Sequence, residues 1–258
     1  MKKIVIRTFV CLLMLSPYLI NAQNSYTIDG SSGAIVLKEV KKVTLMGTTD
    51  GAVTIETDME DEEDSDRAKG LRLINPAGLV DNTGIGLSIK EEDGKHVISE
   101  VSSKGGNRYT IKVPNGYAVH YECTGVNGGT LEIHDVGAEL DVSVNYNSVE
   151  LHGVTGPLAV HSVYGSIDAN FTSVSQSGPS SLYSVYSHVD VSLPASTKAN
   201  LHLSAAYGDV YSDMEVSYVE DENGMKNLSG RKMMATTNGG GVEFTIKSGY
   251  GNVYLRKK

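Results

Sequence analysis

Short runs in which every second residue is apolar dominate the chain: Val53-Thr54-Ile55, Leu71-Arg72-Leu73, Leu87-Ser88-Ile89, Tyr109-Thr110-Ile111-Lys112-Val113, Leu131-Glu132-Ile133, Leu140-Asp141-Val142-Ser143-Val144, Val189-Asp190-Val191-Ser192-Leu193 and Leu201-His202-Leu203. Such alternation sends successive side chains to opposite faces of a strand, one toward a core and one toward water. Almost nowhere do apolar residues recur at i, i+3, i+4 and i+7, the helical spacing. The 28 glycines punctuate the runs, and most of the six prolines mark strand ends, as in Val113-Pro114-Asn115-Gly116. The pattern predicts an all-β fold of strands about five residues long.

A fixed period runs through the second half. Tyr146-Asn147-Ser148-Val149, Tyr164-Gly165-Ser166-Ile167, Tyr186-Ser187-His188-Val189, Tyr207-Gly208-Asp209-Val210 and Tyr250-Gly251-Asn252-Val253 share a Tyr, two small or polar residues and a β-branched residue, with starts 18, 22, 21 and 43 residues apart. The 43 is close to two periods, so a missing copy hidden by an insertion at 213–238 is expected. Leu131-Glu132-Ile133-His134 aligns with Val149-Glu150-Leu151-His152 one period later. A unit of about twenty residues cannot bury its own apolar side chains and must stack on its neighbours. The expected architecture is therefore a β-solenoid; the alternative is an antiparallel β-sandwich, which uses the same short strands and frequent turns.

Residues 116–258 form the expected repeat domain. Residues 23–115 carry the repeat less clearly and read as a β-rich N-terminal region, either a cap or degenerate coils. The last residues, Leu255-Arg256-Lys257-Lys258, are expected to place charge on an unpaired final strand.

Charge and targeting narrow the partners. Lys2, Lys3 and Arg7 precede an apolar stretch from Thr8 to Ile20 and the small residue Ala22, the pattern of a secretory signal peptide over residues 1–22. That stretch is too short to span a membrane, and no second one follows, so no integral span is expected after its removal. Of the 22 basic residues three lie in this leader, leaving 19 against 31 acidic residues in the mature chain, a formal charge of −12. Nucleic acid, which demands clustered Lys and Arg, is excluded as a partner. The densest charge run is acidic, from Asp58 to Asp66, and reads as a solvated loop. Only Cys123 remains after the leader and its Cys11 are removed, so no internal disulfide forms and the thiol reads as buried and inert.

The segments VNGGTLEIHDV, YNSVELHGVTGPLAVHSVYGSIDA and YGDVYSDM resemble the repeats of the bacterial putative-adhesin family of exported β-strand-repeat proteins, over roughly Tyr109 to Lys258. The resemblance implies a stacked β architecture and an adhesin-like role. It brings no catalytic residues with it.

Candidate chemistry is confined to surfaces. If Leu131 and Ile133 point inward, Glu132, His134, Glu150 and His152 share one outward patch, a set of surface candidates for a metal ion such as Zn²⁺. Repeat duplication alone also produces such a patch, so no metal site and no cofactor is assigned. The tyrosines Tyr146, Tyr164, Tyr186, Tyr207 and Tyr250 are expected to form an aromatic ladder, either as corner packing or as a glycan-binding strip. No nucleophile elbow, zinc-protease helix, P-loop or dinucleotide fingerprint is present, and no catalytic residue is assigned. The acids Asp135, Asp141, Asp168, Asp190 and Asp209 lie at strand edges or turns, where Asp is common. The sequence thus points to an exported non-enzymatic scaffold binding a protein or glycan of the cell envelope or host surface, in the periplasm, on the outer membrane or secreted. The alternative is a carbohydrate-active β-helix enzyme acting on polysaccharide; a periplasmic sensor or assembly partner is a third reading.

Overall fold

The computed structural model describes residues 24–30, 32–58, 70–71, 74–102, 106–126, 129–218 and 232–258. The expected signal peptide, and all of the acidic run except Asp58, lie outside the described residues. Among the described residues twenty-one strands follow one another: β1 (Ser25–Ile28), β2 (Gly33–Lys38), β3 (Lys42–Thr48), β4 (Val53–Asp58), β5 (Leu87–Glu92), β6 (Lys95–Glu100), β7 (Arg108–Pro114), β8 (Tyr117–Cys123), β9 (Thr130–His134), β10 (Leu140–Val144), β11 (Ser148–Val154), β12 (Leu158–Ser162), β13 (Ile167–Phe171), β14 (Ser180–Ser184), β15 (Val189–Leu193), β16 (Ala199–Ala205), β17 (Val210–Ser212), β18 (Ser217–Tyr218), β19 (Lys232–Thr237), β20 (Val242–Ser248) and β21 (Val253–Lys257). The chain is all-β, as the alternation predicts; among the described residues there is no helix, and so none long and apolar enough to cross a membrane.

The strands make two large mixed sheets that enclose one continuous core. Sheet A has the order β1-β4-β7-β3-β9-β11-β13-β15-β21-β17, and sheet B the order β18-β19-β16-β20-β14-β12-β10-β8-β2-β6-β5. From β8 to β17, and again over β20 and β21, consecutive strands alternate between the sheets. Within each sheet these strands pair in parallel. The expected alignment is the observed register: Leu131 pairs with Val149, Glu132 with Glu150, Ile133 with Leu151 and His134 with His152. Where the period lengthens from 18 to 22 residues, the register of the next pair still holds, Ile167 opposite Val189 and Leu182 opposite Val160. The added length falls in the loop between β13 and β14.

Burial follows the same alternation. Every second residue of β8 and β16 is buried, and the core collects Ile35, Leu45, Ile111, Ile133, Leu151, Phe171 and Phe244, each fully shielded from solvent. Each such side chain is worth roughly 1.5–3 kcal/mol relative to exposure. Two buried tyrosines satisfy their hydroxyls on backbone, Tyr121 donating to the Val40 carbonyl at 2.6 Å and Tyr109 to the Ile85 carbonyl at 2.9 Å. Cys123 is buried beside Tyr121, and burial, followed by the nearby Glu39 carboxylate, pushes its thiol up from the ordinary range.

Chain order and spatial order part at both ends. Near the N-terminus, β2 lies between β6 and β8, and β3 between β7 and β9. Near the C-terminus, β20 lies between β14 and β16, and β21 between β15 and β17. Two expectations are corrected by this. Leu255 is paired on both sides, with Val191 and Ser212, so the last strand is interior and not an edge. Tyr207 and Tyr250 are direct neighbours and not two periods apart, because the coil of Tyr250 returns to lie between those of Tyr186 and Tyr207. Antiparallel strands finish the sheets: β4 and β1 beyond β7, β5 beyond β6, and β19 and β18 beyond β16. The β5–β6 hairpin turns on Asp93-Gly94, both with positive φ (51° and 74°), the type I′ geometry that suits the twist of flanking strands.

Candidate functional site

The tyrosines sit at one corner, in the turn leading from a sheet B strand to the following sheet A strand. Three features of the local sequence hold that turn against the preceding coil. First, the tyrosine amides donate across coils: Tyr164 to Asn145, Tyr186 to Val163, Tyr250 to Val185 and Tyr207 to Gly249, at 2.8–2.9 Å. Second, a buried serine two residues before the tyrosine bridges adjacent coils. The Ser162, Ser184 and Ser248 hydroxyls donate to the carbonyls of Asn147, Gly165 and Ser187 at 2.8–3.1 Å. Each also accepts an amide of its own turn, from Gly165, Ser187 and Gly251 respectively, at 2.8–3.1 Å. Third, the residue after the tyrosine lies almost on its neighbour's backbone. A Cβ on Gly165 would sit 1.8 Å from the Asn147 carbonyl oxygen, and one on Gly251 would sit 2.4 Å from the Ser187 carbonyl. In spatial order this position runs Asn147, Gly165, Ser187, Gly251, Gly208, so no side chain is followed directly by another.

Held this way, the rings form a continuous row, Tyr146-Tyr164-Tyr186-Tyr250-Tyr207, with centroids 5.0, 5.0, 5.0 and 4.7 Å apart and planes within 8–14° of parallel. The spacing is that of the strands beneath, so the row is about 20 Å long. All five tyrosines are exposed, between 45% and 68%. Both faces of Tyr164, Tyr186 and Tyr250 lie against neighbouring rings, so the row meets solvent with ring edges and hydroxyls. A sugar laid flat on a ring face finds none along the middle of the row. What is offered instead is a rigid line of phenol groups at a regular interval, apolar at the edge and hydrogen-bonding at the tip.

The outer face of sheet A carries the predicted histidine and glutamate patch. His134 and His152 stack at 4.8 Å, and each faces the carboxylate of its own strand, Glu132 at 3.7 Å and Glu150 at 3.6 Å. The register extends this line to Asp168 and Asp190 on β13 and β15, giving four carboxylates on adjacent strands. Like charges opposite one another repel, and each is answered locally: Asp168 by His188 at 3.2 Å, Asp190 by a two-pronged contact from Arg256 at 2.7–3.0 Å. Among the described residues no group of three or more His, Cys, Asp or Glu side chains is placed to hold a metal ion. Of the other acids singled out, Asp141 pairs with His120 at 3.0 Å on sheet B, while Asp135 and Asp209 occupy turns. Only Asp168 and Asp190 are neighbours, and they lie on an open face.

Two of the grooves among the described residues cross the outer face of sheet B. The larger, about 620 Å³, has Lys38, Glu92, Lys95, His120, Glu122 and Asp141 among its walls. The smaller, about 330 Å³, lies over β20, β16 and β19 and includes His202, Ser204, Lys232, Met234, Thr245 and Lys247. Sequence reasoning missed this second groove, because β16 and β19 are paired across a long excursion of the chain. It also passed over the bridging serines, although their fixed place two residues before the tyrosines was a visible signal.

No protein-family model matches the chain, and no curated protein does. Two solved structures are similar in architecture. A putative cell adhesion protein from Clostridium sporogenes is 12% identical, with a TM-score of 0.45 over 91% of this chain and 98% of that one. A putative adhesin from Bacteroides fragilis is 13% identical, with a TM-score of 0.35 over 92% of this chain and 98% of that one. Both TM-scores are below 0.5, so the functional reading rests on this chain's own surface.

Proposed function

We propose that the protein is an exported, non-enzymatic, adhesin-like scaffold, a two-sheet β-solenoid whose tyrosine corner binds an extended glycan of the cell envelope or host surface. The observation that carries this is the row of five exposed, near-parallel tyrosines at strand spacing. Residues buried for packing alone hide their rings; these turn polar tips and apolar edges to solvent at a regular interval. A polymer that repeats along its length can meet such a row at several points at once, which raises avidity without any single deep pocket. Tyrosine is suited to the task because it offers a large contact area with little rotamer entropy to lose. The four sheet A carboxylates are partly exposed, paired with His or Arg, and line neither of the grooves described above, an arrangement that favours a scaffold over a glycosidase.

Glycan-array and pull-down binding of the mature chain tests the reading. The Tyr164→Phe/Tyr186→Phe double variant keeps the ring stack and removes two hydroxyls, and Tyr164→Ala/Tyr186→Ala removes both rings. Affinity for the bound glycan is expected to fall about tenfold or more in the alanine variant, equivalent to about 1.4 kcal/mol, and by a smaller factor in the phenylalanine variant. Unchanged binding in a folded alanine variant contradicts the proposal. Release of reducing or unsaturated sugar ends from a polysaccharide panel would replace it with the enzyme reading.

A further inference from the structure

Beside the tyrosine corner, on sheet B, a second row occupies the position three residues before each tyrosine. The ladders place His161, Tyr183, Lys247, Ser204 and, beyond β16, Lys232 on five adjacent strands, β12, β14, β20, β16 and β19. His161 stacks on Tyr183 with centroids 5.2 Å apart. From Tyr183 the row runs into the groove of about 330 Å³ described above, where Lys247 and Lys232 flank Ser204.

The charge of this groove is opposite to that of the chain. Lys112 and Arg256 each meet a carboxylate, whereas among the described residues neither Lys232 nor Lys247 has one within ion-pair distance. The groove also holds one carboxylate, Glu243, to which Asn200 donates at 2.8 Å and which His202, another wall of the groove, contacts at 2.5 Å. These two hydrogen bonds hold its carboxyl below the usual range. What faces the groove is two ammonium groups, the Ser204 and Thr245 hydroxyls, the His202 ring and the Glu243 carboxylate, with the cations in excess. On a chain of formal charge −9, two lysines with no carboxylate partner among the described residues, set against one carboxylate on the same concave surface, mark it for an anion.

Spacing narrows the ligand. Lys247 and Lys232 are two strands apart, about 10 Å, with a hydroxyl midway. A polysaccharide lying across the strands advances about one sugar per strand, so both ammonium groups meet charges carried on alternate sugars. We infer that this groove binds an acidic polysaccharide with a carboxylate or sulfate on every second sugar, its adjoining residues lying along Tyr183 and His161. The inference rests on the adhesin-like reading and gives it a ligand class.

Binding of hyaluronan and unsulfated chondroitin oligosaccharides to the mature chain, measured by calorimetry, tests it. Both probes carry acid groups on alternate sugars. The expected result is binding that weakens as salt rises, falls about tenfold in Lys232→Ala/Lys247→Ala, and is retained in the Lys232→Arg/Lys247→Arg pair, with unfolding transitions unchanged. Carboxyl-reduced hyaluronan, vesicles containing phosphatidylglycerol and inorganic sulfate are expected to bind at least tenfold more weakly. Equal affinity in the alanine pair, equal binding to the vesicles or to sulfate alone, or no binding of either oligosaccharide overturns the inference. If a neutral glycan binds and is lost only on changing Tyr164 and Tyr186, the tyrosine reading stands while the acidic-glycan inference fails.

Discussion

A chain of residues 23–241 is expected not to fold. Its missing segment supplies β20 and β21, each of which pairs with a strand on both sides. Removal leaves the coil of β16 and β17 with no parallel partner and strips Phe244, Ile246, Val253 and Leu255, all essentially inaccessible to solvent, from the core. At roughly 1.5–3 kcal/mol per buried side chain, those four alone approach the whole stability of a typical domain, about 5–15 kcal/mol. Circular dichroism through a urea titration checks the outcome, with loss of the cooperative transition expected. In a stack built in chain order, the same deletion would trim one outer coil and leave a shorter cooperative protein. The contrast follows from the inserted coil alone.

Gly165→Ala is expected to cost about 3 kcal/mol or more, near the top of the range for overpacking. The added methyl would meet the Asn147 carbonyl oxygen at 1.8 Å, and that carbonyl is backbone, already accepting the Ser162 hydroxyl. Relief requires the two coils to part, which lengthens the Ser162 and Ser184 bridges and breaks the spacing of the tyrosine row above. Gly51→Ala, where an added Cβ meets nothing within 4 Å, is the control and is expected to stay within about 0.5 kcal/mol of the parent. Urea midpoints of the two variants decide it. Equal midpoints would show that the coils are not packed as closely as described.

Much of this was legible in the residues because two periodicities overlap. Alternation marked the strands, and the recurrence of Tyr with a β-branched residue three positions later marked the corner. The alignment of Leu131–His134 on Val149–His152 held to the residue, since a one-place slip would turn Leu151 outward and His152 inward. The order of coils at the ends was not legible. Consecutive units usually stack in sequence, and the strand pattern of β20 is the same whether it packs on β14 or on β16. The 43-residue interval from Tyr207 to Tyr250 therefore read as a gap, when it records a chain that leaves the stack, adds β18 and β19 at its edge, and returns one coil earlier. The direction of the rings was likewise hidden. Sequence spacing places tyrosines in a row but does not say whether faces or edges meet solvent, and that depends on strand separation at the turn.

The inserted coil can be tested most directly by cross-linking. Ser181, Thr245 and His202 lie on the outer face of sheet B, with Thr245 in register between the other two. Adjacent strands bring Cα atoms to about 4.8 Å, inside the range of roughly 4.4–6.8 Å for a disulfide, while two strand spacings exceed it. Under mild oxidation, Ser181→Cys/Thr245→Cys is predicted to close rapidly in the native protein, and Ser181→Cys/His202→Cys to stay reduced. Closure of the 181–202 pair with no closure of 181–245 would place β16 directly on β14 and contradict the fold described.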